Sequence, residues 1–228
     1  MINQNSRIIF LGASGAVGTE ALNVLLQGNA TIDLLLRRHL PSATTAQEHI
    51  VDVLDPLSYR HHIKGHNVAI CTLGVGQPSK VSKEEFTRID KQAVLDFATA
   101  CKAAGVSHFT LLGSTMADAT SSSFYLRSKG ELRDAIAAMG FARFSVFQPS
   151  MILTQQNRYD FSQAVMLAIW PLLSPLLVGG LKKYRGIRVE DLGRAMAQNI
   201  TRDATGDEIF HWSEITDLAI NSNLSIED

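Results

Sequence analysis

The stretch "FLGASGAVGTEAL", residues 10–22, sets Gly12, Gly15 and Gly18 at intervals of three between an apolar run and a segment of helical period. Few folds use such a join. Without a Cβ, the chain can turn sharply as it leaves a strand and let a pyrophosphate approach the backbone. The helix that follows aims unpaired amides and the positive end of its dipole at that phosphate. Ser14 adds a hydroxyl to the loop, and Ala16 and Val17 open the helix behind it. A glycine triad by itself is also the signature of a tight strand-to-helix turn. At the end of an N-terminal strand and the start of a helix, the expectation is a dinucleotide site.

The rest of the chain repeats that alternation. Short apolar runs, "RIIFL", "TIDLLLRR", "HIVDVLD", "NVAICTLG", "HFTLLGS" and "RFSVFQPS", are separated by longer segments of helical period, among them 16–27 and 83–104. Runs without polar alternation suit strands covered on both faces, so the expected class is α/β. The architecture is a doubly wound parallel sheet with helices on both faces. A helix over about 189–200 and a late strand in "DEIFHW" make a small C-terminal elaboration. With no linker or repeat, residues 1–228 read as a single domain, with 151–188 as a substrate-side lid or interaction segment.

The end of the second strand selects the cofactor. An acidic residue there would bind the ribose hydroxyls of NAD, whereas arginine accommodates the extra phosphate of NADP. Arg37 and Arg38 occupy the position, while Asp33 lies near the start of that strand. NADP(H) is therefore expected in preference to NAD(H). Asp52 is placed to receive the adenine amino group, with Val53 beside it. Leu73 and Gly74 after the fourth strand and Pro149 after the sixth complete the expected cofactor wall.

A formal net charge of -1 offers no global attraction to nucleic acid or anionic lipid. Two cysteines, Cys71 and Cys101, make no disulfide framework, and "MINQNSR" has no apolar core of a signal sequence. Reduced thiols point to a cytoplasmic protein. Residues 161–181, "FSQAVMLAIWPLLSPLLVGGL", carry no charge, but Pro171, Pro175 and Gly179-Gly180 break the run. A lid, or a surface for a peripheral membrane or protein partner, is expected there rather than a span. His61, His62 and His66 lack a carboxylate-rich second motif, so no metal site is expected.

"FYLRSKGEL" places Tyr125 and Lys129 at i and i+4, one above the other on a helix. A phenol near pKa ~10 is a poor proton relay at neutral pH, so a nearby ammonium has a chemical task. The glycine loop, the strand-end arginines, Ser114 after the fifth strand and Tyr125-x-x-x-Lys129 occur in the order of the short-chain dehydrogenase/reductase family. The chain resembles its atypical members, in particular the branch of the Tat-interacting oxidoreductase-like proteins. The segments "LRR", "VDVLD", "GHNVAICTLG", "FTRIDKQAVLDFA" and "HFTLLGS" carry that likeness.

The resemblance implies a Rossmann fold binding NADPH and hydride transfer to a small carbonyl or quinone substrate. Tyr125 would be the proton donor, Ser114 the holder of the carbonyl oxygen, and Lys129 the partner of tyrosine and nicotinamide ribose. Two positions depart from the family: Asp90 stands where classical members have asparagine, and "FQPS" replaces the usual Arg-Pro-Gly. Some relatives are discussed as regulators, so an NADPH-binding scaffold without turnover is the alternative. Oligomeric state is left open.

Overall fold

A computed structural model describes residues 6–42, 44–154 and 177–220. Strand β1 (Arg7–Leu11) runs into α1 (Ala16–Leu25), followed by β2 (Thr31–Leu36), β3 (Gln47–Ile50) and the single turn α2 (Pro56–Tyr59). After β4 (Val68–Cys71), α3 (Lys83–Phe86) continues through a wide π turn at Thr87–Gln92 into α4 (Ala93–Ala103). Next come β5 (His108–Leu112), α5 (Phe124–Ala137), β6 (Arg143–Phe147) and β7 (Met151–Leu153). The chain closes with β8 (Gly186–Arg188), α6 (Val189–Asn199), β9 (Gly206–Phe210) and α7 (Trp212–Ile220).

The main sheet has the order β3-β2-β1-β4-β5-β6-β9, and every pairing in it is parallel. The connections leaving β1 and β4 run to opposite sides, so a crevice opens above the carboxyl ends of those two strands. Ile8, Ile9, Phe10 and Leu11 in β1 are all fully buried, as expected of a strand with helices on both faces. One face packs α1, α6 and α7 through Ala21, Leu25, Leu192, Met196 and Ile215. The other packs α2, α4 and α5 through Tyr59, Phe97, Cys101, Leu132 and Ile136.

The late strand expected from "DEIFHW" is β9, and it is fixed by a polar network rather than by apolar alternation. Buried Arg143 on β6 donates to Glu208 Oε2 at 2.8 Å and to Asn199 Oδ1 at 2.7 Å. It also donates to the carbonyl oxygens of Asn199 and Arg202. Ser145 Oγ donates to the same Glu208 oxygen at 3.1 Å, and His108 Nε2 lies 2.9 Å from Ser145 Oγ.

Strands β7 and β8 form a separate two-stranded sheet, with Ile152 opposite Ile187. Residues 155–176 lie outside the described residues, and with them most of the uncharged run 161–181 and Trp170. Among the described residues no helix is long and apolar enough to cross a membrane.

Candidate functional site

The glycine loop is held by its neighbours across the crevice. Gly12 has φ +98°, and a Cβ there would stand 2.6 Å from Leu73 N, so a side chain is excluded both by conformation and by space. A Cβ on Gly18 would fall 2.2 Å from the Gly12 carbonyl oxygen, which is why the first turn of α1 can sit directly on the loop. Thr72, following β4, donates from Oγ1 to that same carbonyl at 2.9 Å and from its amide to Leu11 O at 2.9 Å. Gly15 is the N-cap of α1, with no side-chain cap and no acidic residue in the first turn, a suitable seat for an anion.

Two clefts meet at this loop. The smaller, about 190 Å³, lies between Gly12, Ser14 and Gly15 on one side and Arg37, Arg38 and Val53 on the other, with Leu73 and Gly74 as its floor. The larger, about 430 Å³, begins at Gly15, Ala16, Val17 and Gly18 and continues past Thr72, Leu73 and Gly74 to Tyr125 and Lys129. Gly15, Thr72, Leu73 and Gly74 line both. An end lined by Arg37 and Arg38 and a second end carrying Tyr125 and Lys129 are thus joined at the glycine loop.

Lys129 is only 8% exposed, and its ammonium donates to Asp90 Oδ1 at 3.0 Å. Asp90, itself 3% exposed, accepts at Oδ2 from the Val75 amide at 2.7 Å. The wide turn of residues 87–92 carries Asp90 to the wall of the larger cleft. Burial opposes the charge of Lys129, but the Asp90 carboxylate and then Tyr125 outweigh it, so the ammonium is held above its ordinary range. Phe86 packs beneath the pair, with its ring centroid 5.9 Å from Lys129 Nζ and 5.6 Å from the Tyr125 ring. Cys71 lies behind them, fully buried, and burial pushes its thiol up to about 12.

Other expected residues lie elsewhere. Ser114 is buried, its Oγ donates to the Thr115 carbonyl at 3.3 Å, and it is not among the residues lining either cleft. Pro149 contributes through its backbone, accepting from the Thr115 amide at 3.0 Å, and does not line the clefts. Asp52 is exposed; its carboxylate accepts from the Leu54 amide at 2.9 Å and lies outside the wall that Val53 forms. Asp33 faces histidines rather than the cleft, with His49 Nε2 3.1 Å and His66 Nε2 3.4 Å from its Oδ2. Among the described residues no group of three or more His, Cys, Asp or Glu side chains is arranged to hold a metal ion.

Sequence reasoning missed Thr72, which seams the loop to β4, and the β7 residues and neighbours Ile152 and Thr154 that close the larger cleft. Thr72 could have been found as the residue immediately ahead of the Leu-Gly pair. Nothing local marks Ile152, whose position depends on pairing with Ile187.

A family described as NAD(P)H-binding matches residues 12–149 of this chain. The chain belongs to that family, and its parallel sheet covered by helices on both faces is a Rossmann-type fold. The chain is similar to Protein HTATIP2 of Rattus norvegicus, 36% identical over 160 residues, 68% of this chain. The match spans 66% of the rat protein, just under two thirds of its length. Protein FMP52-1, mitochondrial, of Scheffersomyces stipitis is 30% identical over 188 residues, 80% of this chain and 79% of that one.

Among solved structures, MoeE5 in complex with UDP-glucuronic acid and NAD superposes with a TM-score of 0.70 at 15% identity, over 95% of this chain and 82% of that one. A short-chain dehydrogenase/reductase superfamily protein from Agrobacterium tumefaciens with bound NAD gives 0.67 at 14% identity, over 90% and 77%. These likenesses carry the fold.

The cytoplasmic location expected from the cysteines and the N-terminus is overturned by the relatives. The matching FMP52 proteins, from five fungi, are each named as mitochondrial. Cys71 and Cys101 are both buried and unbonded, core positions that carry no information about compartment.

Proposed function

We propose that this protein is an NADP(H)-dependent reductase of small carbonyl or quinone compounds. The observation that carries the reading is that Tyr125 and Lys129 open onto the same cleft as the amides at the start of α1. The bound nicotinamide would supply the hydride. Tyr125 donates its phenolic proton to the carbonyl oxygen as negative charge develops there, and Lys129 stabilises the phenolate left behind and holds the ribose. Ser114, the carbonyl-oxygen holder that the resemblance implies, donates to the Thr115 carbonyl and lines neither cleft, so the proposed step rests on Tyr125 and Lys129. Arg37 and Arg38 take the 2′-phosphate; no acidic side chain is among the residues lining the smaller cleft to repel it.

A second reading, a cofactor-binding protein without turnover that acts through a protein or membrane partner, is favoured by the engagement of Ser114 with its neighbour's carbonyl. One series of measurements separates them. Nicotinamide fluorescence is titrated with NADPH and NADH on the natural chain and on Arg37→Ala/Arg38→Ala, and a carbonyl and quinone panel is then assayed alongside Tyr125→Phe. Tighter NADPH binding that the double variant loses supports the cofactor; equal affinities refute the arginine role. Turnover abolished by Tyr125→Phe with NADPH affinity retained supports the acid. Undiminished turnover refutes it, and binding without any turnover favours the second reading.

A further inference from the structure

A third cleft, about 330 Å³, opens on the side of Tyr125 away from the glycine loop. Pro78 and Tyr125 line both this cleft and the larger cofactor cleft, so the two share a wall at the phenol. Its apolar surface comes from Pro78, Val81, Phe86 and Phe124. Phe86 is 2% exposed and meets Phe124 edge to face, centroids 5.6 Å apart at 66°. One aromatic wall is therefore rigidly set beside Tyr125. Lys83 is exposed and holds its ammonium 5.5 Å from the Phe124 centroid. Among the lining residues Lys83 is the one charged side chain; Glu84 and Glu85, next along α3, do not line the cleft.

Space and chemistry together define an occupant. An apolar cavity of about 150 Å³ accepts a benzene ring, so a cleft of this size has room for two fused rings. We propose that this cleft binds the body of the substrate, a flat conjugated or aromatic carbonyl compound bearing an anionic substituent. The rings pack on Phe124, the anion meets Lys83, and the carbonyl reaches Tyr125. This rests on the reading of Tyr125 as the proton donor. The step balances: a hydride from NADPH adds to the carbonyl carbon, or to the conjugated system of a quinone, and Tyr125 gives a proton to oxygen. The C=O π bond becomes C–OH, NADPH leaves as NADP⁺, and the phenol is reprotonated from solvent.

The test uses two probes that share one ring system, neutral 1,4-naphthoquinone and its anionic 2-sulfonate, each compared with itself across the natural chain, Lys83→Glu and Phe124→Ala, with NADPH as reductant. Lys83→Glu should raise KM for the sulfonate about fivefold, the size of one exposed charge contact, and leave KM for the neutral quinone nearly unchanged. Phe124→Ala should raise both by about as much, through lost ring contact. Titration with the fluorescent anion 1-anilinonaphthalene-8-sulfonate, without cofactor, gives a readout independent of turnover and should weaken in both variants. If neither quinone is reduced but the dye still depends on Lys83 and Phe124, the reductase reading fails and the anionic-aromatic site stands. Quinone reduction with KM and dye affinity indifferent to both variants overturns the site and leaves the reductase reading intact.

Discussion

Removing the Asp90 carboxylate tests whether the pair at the heart of the larger cleft is a buried ion pair. In Asp90→Ala the Lys129 ammonium, 8% exposed, loses its acceptor at 3.0 Å, and the Val75 amide loses its acceptor at 2.7 Å. Breaking one side of a buried pair costs about 3 to 5 kcal/mol, because the remaining charge is left without compensation. For a chain of this size each kcal/mol moves Tm by roughly 2 to 4 °C, so a fall of about 6 to 20 °C is expected. Asp90→Asn should fall less, since its amide oxygen can still accept from Val75.

The same pair fixes a pH dependence. Lys129 is held above its ordinary range, so its contribution is fully present below the unfolded value near 10.4 and is lost as pH rises through the folded value. Urea unfolding of the natural chain, Asp90→Ala, Lys129→Met and the double variant makes a cycle. The double variant should recover part of the loss, because the stranded ammonium is gone. If Asp90→Ala lies within about 1 kcal/mol of the natural chain, a typical surface value, the buried-pair argument is refuted.

Gly18→Ala would drive a Cβ to within 2.2 Å of the Gly12 carbonyl oxygen, a backbone atom that cannot swing aside, so it should cost about 3 kcal/mol of stability and weaken NADPH binding; an unchanged Tm by calorimetry would show that the loop relaxes freely. His108 is lowered to about 3, chiefly by burial and then by Arg143. Its neutral form is favoured in the fold, so stability is intact above about 6.5 and is lost as pH falls toward 3, at up to about 1.4 kcal/mol per pH unit. Urea midpoints across that window should flatten in His108→Asn, and an unaltered slope would exclude His108 as its source. Burial raises Glu208, but the hydrogen bond and charge of Arg143, with Arg202, outweigh it and hold the carboxyl below its usual range. Its contribution is present above the unfolded value near 4.3 and is lost below it, so Glu208→Gln should reduce the acid sensitivity remaining in His108→Asn.

What the sequence made legible follows the range of the interactions. The glycine loop was readable because turn, dipole and missing Cβ are local chemistry, and the strand succession was readable because each buried strand is its own apolar run. Asp52 shows the limit of such local reading: its place after a strand fits a cofactor ligand, while the Leu54 amide two residues on donates to its Oδ1, a turn contact the strand pattern does not announce. Asp90 could be seen only as a departure. Its partner lies 39 residues away, and the contact needs a wide helical turn that no periodicity announces. The β7–β8 pair was invisible because three-residue strands carry no period, and Met151 finds Gly186 only in the folded chain.

The site and the fold depend on the same contacts. The crevice exists because β1 and β4 send their connections to opposite faces, and Thr72 ties the two strand ends together through Gly12. Tyr125 and Lys129 arrive on α5, which reaches this place because Asp90 binds Lys129 and Lys91 binds Glu131 across the same helix pair. The Lys91–Glu131 contact is partly exposed and contributes little, so the buried pair dominates. Lys129 is therefore both a member of the proposed chemistry and the tie that seats its helix. A loss of activity in Asp90 or Lys129 variants is interpretable only beside NADPH affinity and stability measured on the same protein. Tyr125→Phe, which leaves the tie intact, is the cleaner probe of the reaction.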